Sequence, residues 1–310
     1  MVTRQLLLAA ARSSTARRAV ETAPVSRAIV ERFIAGETRE DAVRVVDELI
    51  VHGLHVSVDH LGEDTVDEAR ADAVRDEYVA LLARLGAAGI GGRAEVSVKL
   101  SALGAGLHPD GRYGALERAG AVCAAASAAG TTVTLDMEDH TTVDDTLAAA
   151  AELRADFPWV GVVLQSYLRR TETDCRELLH AGSRIRLVKG AYAEPDAVAF
   201  RDRGEVDRSY VRCLRLLMEG RGYPMVATHD PRLIEIAGAL AVRAGRDQGS
   251  YEFQMLYGIR DEEQRRLAAA GETVRVYVPY GGDWYAYFMR RLAERPANLA
   301  FFLRALGGHR

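Results

Sequence analysis

The chain has 310 residues, 48% of them hydrophobic, and a formal net charge of −4. That apolar share supplies a sizeable core, and the acid excess argues against a general nucleic-acid binder, whose surface would be basic. Length alone leaves one or two domains open, because α/β barrels routinely run to ~250 residues as one unit.

Cys123, Cys175 and Cys213 lie far apart in helical stretches. An odd, unspaced set predicts neither a disulfide framework nor a zinc knuckle and suits a reducing compartment. No run approaches the ~20 apolar residues of a membrane span. Met1 to Arg18 is rich in Arg and Ala, with no acid before Glu21. An organellar transit peptide has that composition, but a terminal helical arm is the preferred reading, and Leu6 to Ala11 is too short for a secretory core. Residues 1–50 read as a helical arm without strands.

From there short strands alternate with helix-length segments. The strands are Leu54 to Asp59, Glu95 to Leu100, Thr132 to Asp136, Val160 to Gln165, Arg184 to Lys189, Tyr223 to Thr228, Tyr251 to Met255 and Val274 to Val278. Such alternation implies parallel pairing through crossover helices. An open doubly wound sheet would more often show a glycine fingerprint after its first strand, and none occurs here. The expectation is therefore an α/β fold: one (β/α)₈ TIM barrel over 51–310, preceded by the arm.

In such a barrel, chemistry sits where strands end. Those positions hold Asp59, His60, Lys99, Asp136, Glu138, Asp139, His140, Gln165, Lys189, Thr228, His229, Asp230 and Gln254. One polar strand end is ordinary; a full ring is not explained by solvation alone. Lys99 and Asp136, on neighbouring strands, are placed to pair across the mouth. Arg186 and Val188 share one strand face and Leu187 and Lys189 the other. An inward Arg186 is costly unless something anionic or electron-rich meets it, and Gly190 lets a flat ligand approach the backbone. Further on, Tyr287, Arg290, Arg291 and Glu294 fall at i, i+3, i+4 and i+7 on one helix face. Amid aromatic neighbours, that arginine pair suits a bound carboxylate better than an exposed ladder.

These segments together resemble the proline dehydrogenase family, flavin enzymes that oxidise proline to 1-pyrroline-5-carboxylate. The matching pieces are Asp59 to Glu63, Val98 to Ser101, Leu135 to Glu138, Val163 to Tyr167 and Arg186 to Tyr192. They continue with Ala227 to Asp230, Tyr251 to Gly258, Val276 to Pro279 and Tyr287 to Glu294, in family order over most of the chain. The resemblance implies a distorted barrel with non-covalent FAD and the last barrel helix over the active-site mouth. It implies that Lys99, Arg290 and Arg291 hold the proline carboxylate, with Glu294 steadying the arginines, and that Tyr277, Tyr287 and Leu256 pack around the ring. Asp136 would position Lys99 or the ring neighbourhood. Arg186 and Gln165 would contact the isoalloxazine, and Lys189, Gly190, Ala191, Thr228 and His229 would line the rest of the FAD site. Tyr277 favours proline over hydroxyproline. Asp230 departs from the Asn of many relatives and puts an extra charge near FAD.

The same resemblance implies hydride transfer from C5 to flavin N5, a quinone acceptor, and a separate 1-pyrroline-5-carboxylate dehydrogenase downstream. The location it implies is cytoplasmic, with peripheral contact on the inner face of the cell membrane. The rival is a metal-dependent barrel hydrolase using His60, Asp136, Glu138, His140, His229 and Asp230, which are suitable ligand types. Against it, no His-x-His pair marks the first strand, and Lys99 and the arginines would repel a cation. The expected metal is none.

Overall fold

The computed structural model describes residues 32–107, 111–180, 182–285 and 287. Its elements are α1 (Arg39–Val51), β1 (His55–His60), α2 (Glu68–Ala87), β2 (Ala94–Val98), α3 (Gly111–Ala128), β3 (Val133–Leu135), α4 (Val143–Leu153) and β4 (Gly161–Gln165). They continue with α5 (Thr171–Glu177), β5 (Arg184–Val188), α6 (Arg203–Glu219), β6 (Tyr223–Ala227), α7 (Pro231–Arg243), β7 (Glu252–Leu256), α8 (Asp261–Ala269) and β8 (Val274–Tyr280). The eight strands pair in chain order, all parallel, and β8 returns to β1, closing the barrel. Every strand read from the sequence is present, with ends shifted by one or two residues.

Helix starts follow local chemistry. Thr38 and Asp41 form a reciprocal capping box at α1, and the Asp67, Asp202 and Asp230 side chains cap α2, α6 and α7, with Pro231 opening α7. Arg246 donates to the carbonyls of Leu217, Met218, Gly220, Gly222 and Ser250, satisfying the end of α6 and fastening β6 and β7 beneath it.

The apolar core is a ring, not a plug. Outward residues Val56, Val58, Val96, Val98, Leu135, Leu164, Ile185, Leu187, Val226, Phe253, Val276 and Val278 are all buried against the helices. The alternate residues face the lumen, which is charged where such barrels usually hold branched aliphatic layers. Glu95 is its hub. Its carboxylate accepts from Ser57, Thr132 and Thr134, and pairs with Arg184 (3.0 Å) and Arg186 (3.2 Å). Arg275 stands 3.9 Å from Glu95 and makes a two-pronged pair with Glu252 at 2.8 and 3.1 Å. Gly161 gives this network room, since a Cβ there would meet Thr134 Oγ1 at 2.9 Å. Gln254 bonds Glu252 in this lower lumen, not the rim.

Residues 1–31 lie outside the described residues, so the arm is seen only from Arg32. After a turn at 32–33 the chain runs beside the barrel seam, with Ala35 donating to Pro279 O and Gly281 donating to Gly36 O. Helix α1 packs against both β1 and β8, burying Ala42, Val43, Val45 and Val46. It thus covers the seam where the barrel closes and is part of the helical ring, a closer integration than an appended arm.

Burial alone would lift the Glu95 carboxyl, but Arg275, Arg184 and Arg186 draw it down to about 2 from the ordinary 4.5. The sign follows: the stabilisation is complete above pH 4.5 and is lost as pH falls through about 2. Glu95→Gln takes the carboxylate from Arg184 and leaves Arg186 and Arg275 with only Asp136 and Glu252. We expect a loss of about 3–5 kcal/mol at neutral pH and a flatter acid limb, both read by denaturant unfolding at a series of pH values.

Candidate active site

Alternation in β1, β2, β5 and β8 aims Asp59, Lys99, Arg186 and Tyr277 at the lumen near the carboxyl-terminal mouth, and Asp136 joins them just past β3. Arg186, buried, bridges two levels. Its Nη2 donates to Ser57 Oγ (3.0 Å) and Glu95 Oε1 (3.2 Å), and its Nη1 to Ser97 Oγ and Asp136 Oδ1, both at 2.8 Å. Its guanidinium lies 5.3 Å from the Tyr277 ring centroid. The inward arginine read from sequence thus meets both anions and an aromatic face. Its Nε is buried without a hydrogen-bond partner.

Asp136 is nearly saturated. Its Oδ1 takes Ser97 and Arg186, and its Oδ2 takes the Tyr277 hydroxyl at 2.7 Å. The expected Lys99–Asp136 pair is therefore long, at 3.8 Å, while Lys99 Nζ donates to both oxygens of Asp59 at 3.0 Å. The expected Lys99–Asp136 pair is thus present but secondary: Asp59 is the closer partner of the lysine, while Arg186 and Tyr277 take Asp136. Burial would push the Lys99 ammonium down, but the Asp59 and Asp136 carboxylates outweigh it and hold the lysine charged, above its usual range. Burial pushes the Tyr277 phenol well up, and the two carboxylates add to that, so it donates as a neutral hydroxyl.

Around the rim, Gln165 is fixed by donating to Glu138 O (2.7 Å). Glu138 accepts from Ser101 N and Oγ, tying the β2 and β3 ends together. His229 Nε2 accepts from Leu256 N at 2.9 Å, which puts the proton of the neutral ring on Nδ1. Thr228 Oγ1 accepts from Asp230 N. Lys189 turns outward with Leu187, as strand alternation requires, and pairs with Asp207 (2.6 Å) and Asp230 (3.4 Å). Gly190, followed by the exposed Ala191, has φ +105, and a Cβ there would strike the Tyr167 ring at 2.3 Å. The glycine is thus required by Tyr167, a reason the sequence reading did not find. Tyr287 is buried and Leu256 half-buried. Arg290, Arg291 and Glu294 lie outside the described residues, as does most of the helix expected over the mouth.

The rival metal site finds little support. Among the described residues, no group of three or more His, Cys, Asp or Glu side chains could hold a metal ion. Asp136 is committed to cations, and His60 packs against Tyr78 and Tyr280 with Nδ1 buried and unpartnered. Sequence reasoning missed Glu95 and gave Asp59 no role. The available signal was phase: Glu95, Ser97 and Lys99 fall two apart, on one face of one strand.

A family model described as proline dehydrogenase matches residues 42–304. The chain is 42% identical over 280 residues to a proline dehydrogenase of Deinococcus radiodurans, covering 90% of each. It is 39% identical over 275 residues to proline dehydrogenase 1 of Bacillus subtilis strain 168, covering 89% of each. The barrel also superposes on proline utilization A from Bdellovibrio bacteriovorus, solved after inactivation by N-propargylglycine, with a TM-score of 0.81 and 26% identity. That match covers 87% of this chain and 33% of the other.

Asp230 proves well compensated. Its side chain pairs with Arg232 and Lys189 while capping α7, and Arg232 foremost holds its carboxyl at about 2, below the ordinary 3.8. That stabilisation is present above pH 3.8 and is lost as pH falls through about 2. Because Asn caps helices as well, Asp230→Asn is expected to change stability by less than about 1 kcal/mol at neutral pH. A loss of several kcal/mol on thermal or denaturant unfolding would mean that its charge, not its cap, secures this corner.

Proposed function

The chain belongs to the proline dehydrogenase family and is an oxidoreductase, and on that premise we propose that it oxidises L-proline to 1-pyrroline-5-carboxylate with non-covalently bound FAD. The observation that carries this reading is the convergence of Lys99, Arg186 and Tyr277 on one mouth around Asp136. Asp59 and Asp136 balance Lys99 and Arg186, so these two cations are already matched. A carboxylate substrate needs further positive charge there, and Arg290 and Arg291 supply it.

The residues present fit a flavin. Arg186 Nε is a buried donor lacking an acceptor, and a ring nitrogen or carbonyl oxygen of isoalloxazine would satisfy it. Gln165, Lys189, Gly190, Ala191, Thr228 and His229 would hold the remainder. When bound, FAD would supply the two-electron sink for the hydride lost from proline C5, with a quinone as the final acceptor.

The protein's share is grip, orientation and charge. Lys99, Arg290 and Arg291 clamp the carboxylate, with Glu294 steadying the arginines, and Tyr277, Tyr287 and Leu256 fix the ring, so that C5 is presented in one pose. The amine must be neutral, because its lone pair forms the C=N bond as hydride departs. Arg186, held between Glu95 and Asp136, would stabilise negative charge developing on the reduced flavin. No helix among the described residues is long and apolar enough to cross a membrane. We place the enzyme in the cytoplasm with peripheral membrane contact to reach the quinone. A separate 1-pyrroline-5-carboxylate dehydrogenase would take the product.

The purified protein should be yellow, and anaerobic L-proline should bleach its visible absorbance. A colourless protein, or one unbleached by proline, rejects the reading. Arg290→Met and Arg291→Lys should raise the proline KM at least about tenfold, the scale of a lost charge-assisted contact, while FAD stays bound. Unchanged proline kinetics in both variants would remove the carboxylate clamp.

A further inference from the structure

We propose that Asp59 is the positioning residue for the substrate grip: it fixes the Lys99 ammonium at the mouth, where the substrate carboxylate is received. The inference rests on the reading above that Lys99 contacts the carboxylate, and it assigns Asp59 a role through that lysine.

The argument begins with the strand. β1 is fixed on both sides, Asp59 aligning with Ser97 of β2 and with Pro279 of β8. Its side chain is 1% exposed, so its carboxylate has almost no water to fall back on. Its main partner is Lys99, whose Nζ is 3.0 Å from each of its oxygens, while the Tyr78 hydroxyl is far at 3.5 Å and closer to Ser97 O at 2.8 Å. The neighbouring carboxylate of Asp136 is shared among Ser97, Arg186 and Tyr277 and stands farther from Nζ, at 3.8 Å, so it holds the ammonium less closely and in a different place.

A lysine is a point charge on a flexible four-carbon stem. Two of its three N–H groups go to Asp59, which fixes Nζ in space and leaves the third for an incoming carboxylate. Without the Asp59 charge, Lys99 faces Asp136 as its nearest anion, 3.8 Å away. It would lean toward that carboxylate and away from the substrate position. Asp59 then touches neither substrate nor flavin, and its effect should appear only in recognition of the carboxylate.

The test compares L-proline with L-prolinamide, which keeps the ring and amine but lacks the carboxylate charge, in holoenzyme carrying Asp59→Asn, Asp59→Glu, Lys99→Met or Asp59→Asn with Lys99→Met. Asp59→Asn should raise the proline KM about tenfold, with kcat within about threefold and prolinamide kinetics within about threefold, effects of the size of one charged hydrogen bond. Asp59→Glu should restore part of the loss. On the Lys99→Met background, Asp59→Asn should add nothing. Removing both partners of a buried pair is milder than removing one, so the double variant keeps the comparison open if Asp59→Asn alone fails to fold. Equal losses for proline and prolinamide, or an Asp59→Asn effect that persists undiminished without Lys99, would overturn the role of Asp59. If Lys99→Met itself leaves the preference for proline over prolinamide intact, the carboxylate reading of Lys99 fails first.

Discussion

The guanidinium of Arg186 binds the scaffold to the chemistry. It reaches from β5 across the lumen to Ser57 and Glu95 on one level and to Ser97 and Asp136 on the next. A charge this deep is tolerable only with anions at close range and its donors engaged. Glu95 and Asp136 meet that demand and hold the guanidinium between them. Around this pivot Asp136 is oriented, Tyr277 is tethered to Asp136, and Lys99 is left to Asp59. The site is therefore preorganised by salt bridges running the length of the barrel interior, not by packing alone.

The fold was legible because of that charged interior. Strands of a parallel barrel, covered on both faces, ordinarily read as continuous apolar runs. Here β1 reads His-Val-Ser-Val-Asp-His and β8 opens Val-Arg-Val-Tyr-Val, a clean alternation. The apolar phase marks the helical ring and the polar phase the lumen. At the carboxyl-terminal end of the polar phase, Lys99 and Asp136 were picked out by position and Arg186 by its inward phase, while Tyr277 came from the family resemblance. Closure then brings them together.

What could not be read was the choice among partners. In the register of β2 and β3, Val98 sits opposite Leu135, so Lys99 and Asp136 are lateral neighbours and their pairing is the natural expectation. Arg186 overrides it from β5, two strands further round, by taking the carboxylate Lys99 would have used. Long-range closure decides this, and no local pattern encodes it. Gly190 is similar: its need for a bare α-carbon comes from Tyr167, and that contact exists only after β4 and β5 are paired. Asp230 carries a charge that looks unpaired in one dimension and is matched in three by Lys189 and Arg232.

Helix α1 has a consequence for how the molecule is made. It lies at the start of the described chain, yet its seat is the junction of β1 with β8, two strands more than two hundred residues apart in the order of synthesis. During translation α1 emerges early and has only half of its binding surface until the last strand appears. The apolar face of Ala42, Val43, Val45 and Val46 must wait for that strand, a long-range closure of the kind that slows folding. Once β8 arrives, α1 covers the joint at once, and barrel closure and helix docking become one event late in the life of the nascent chain.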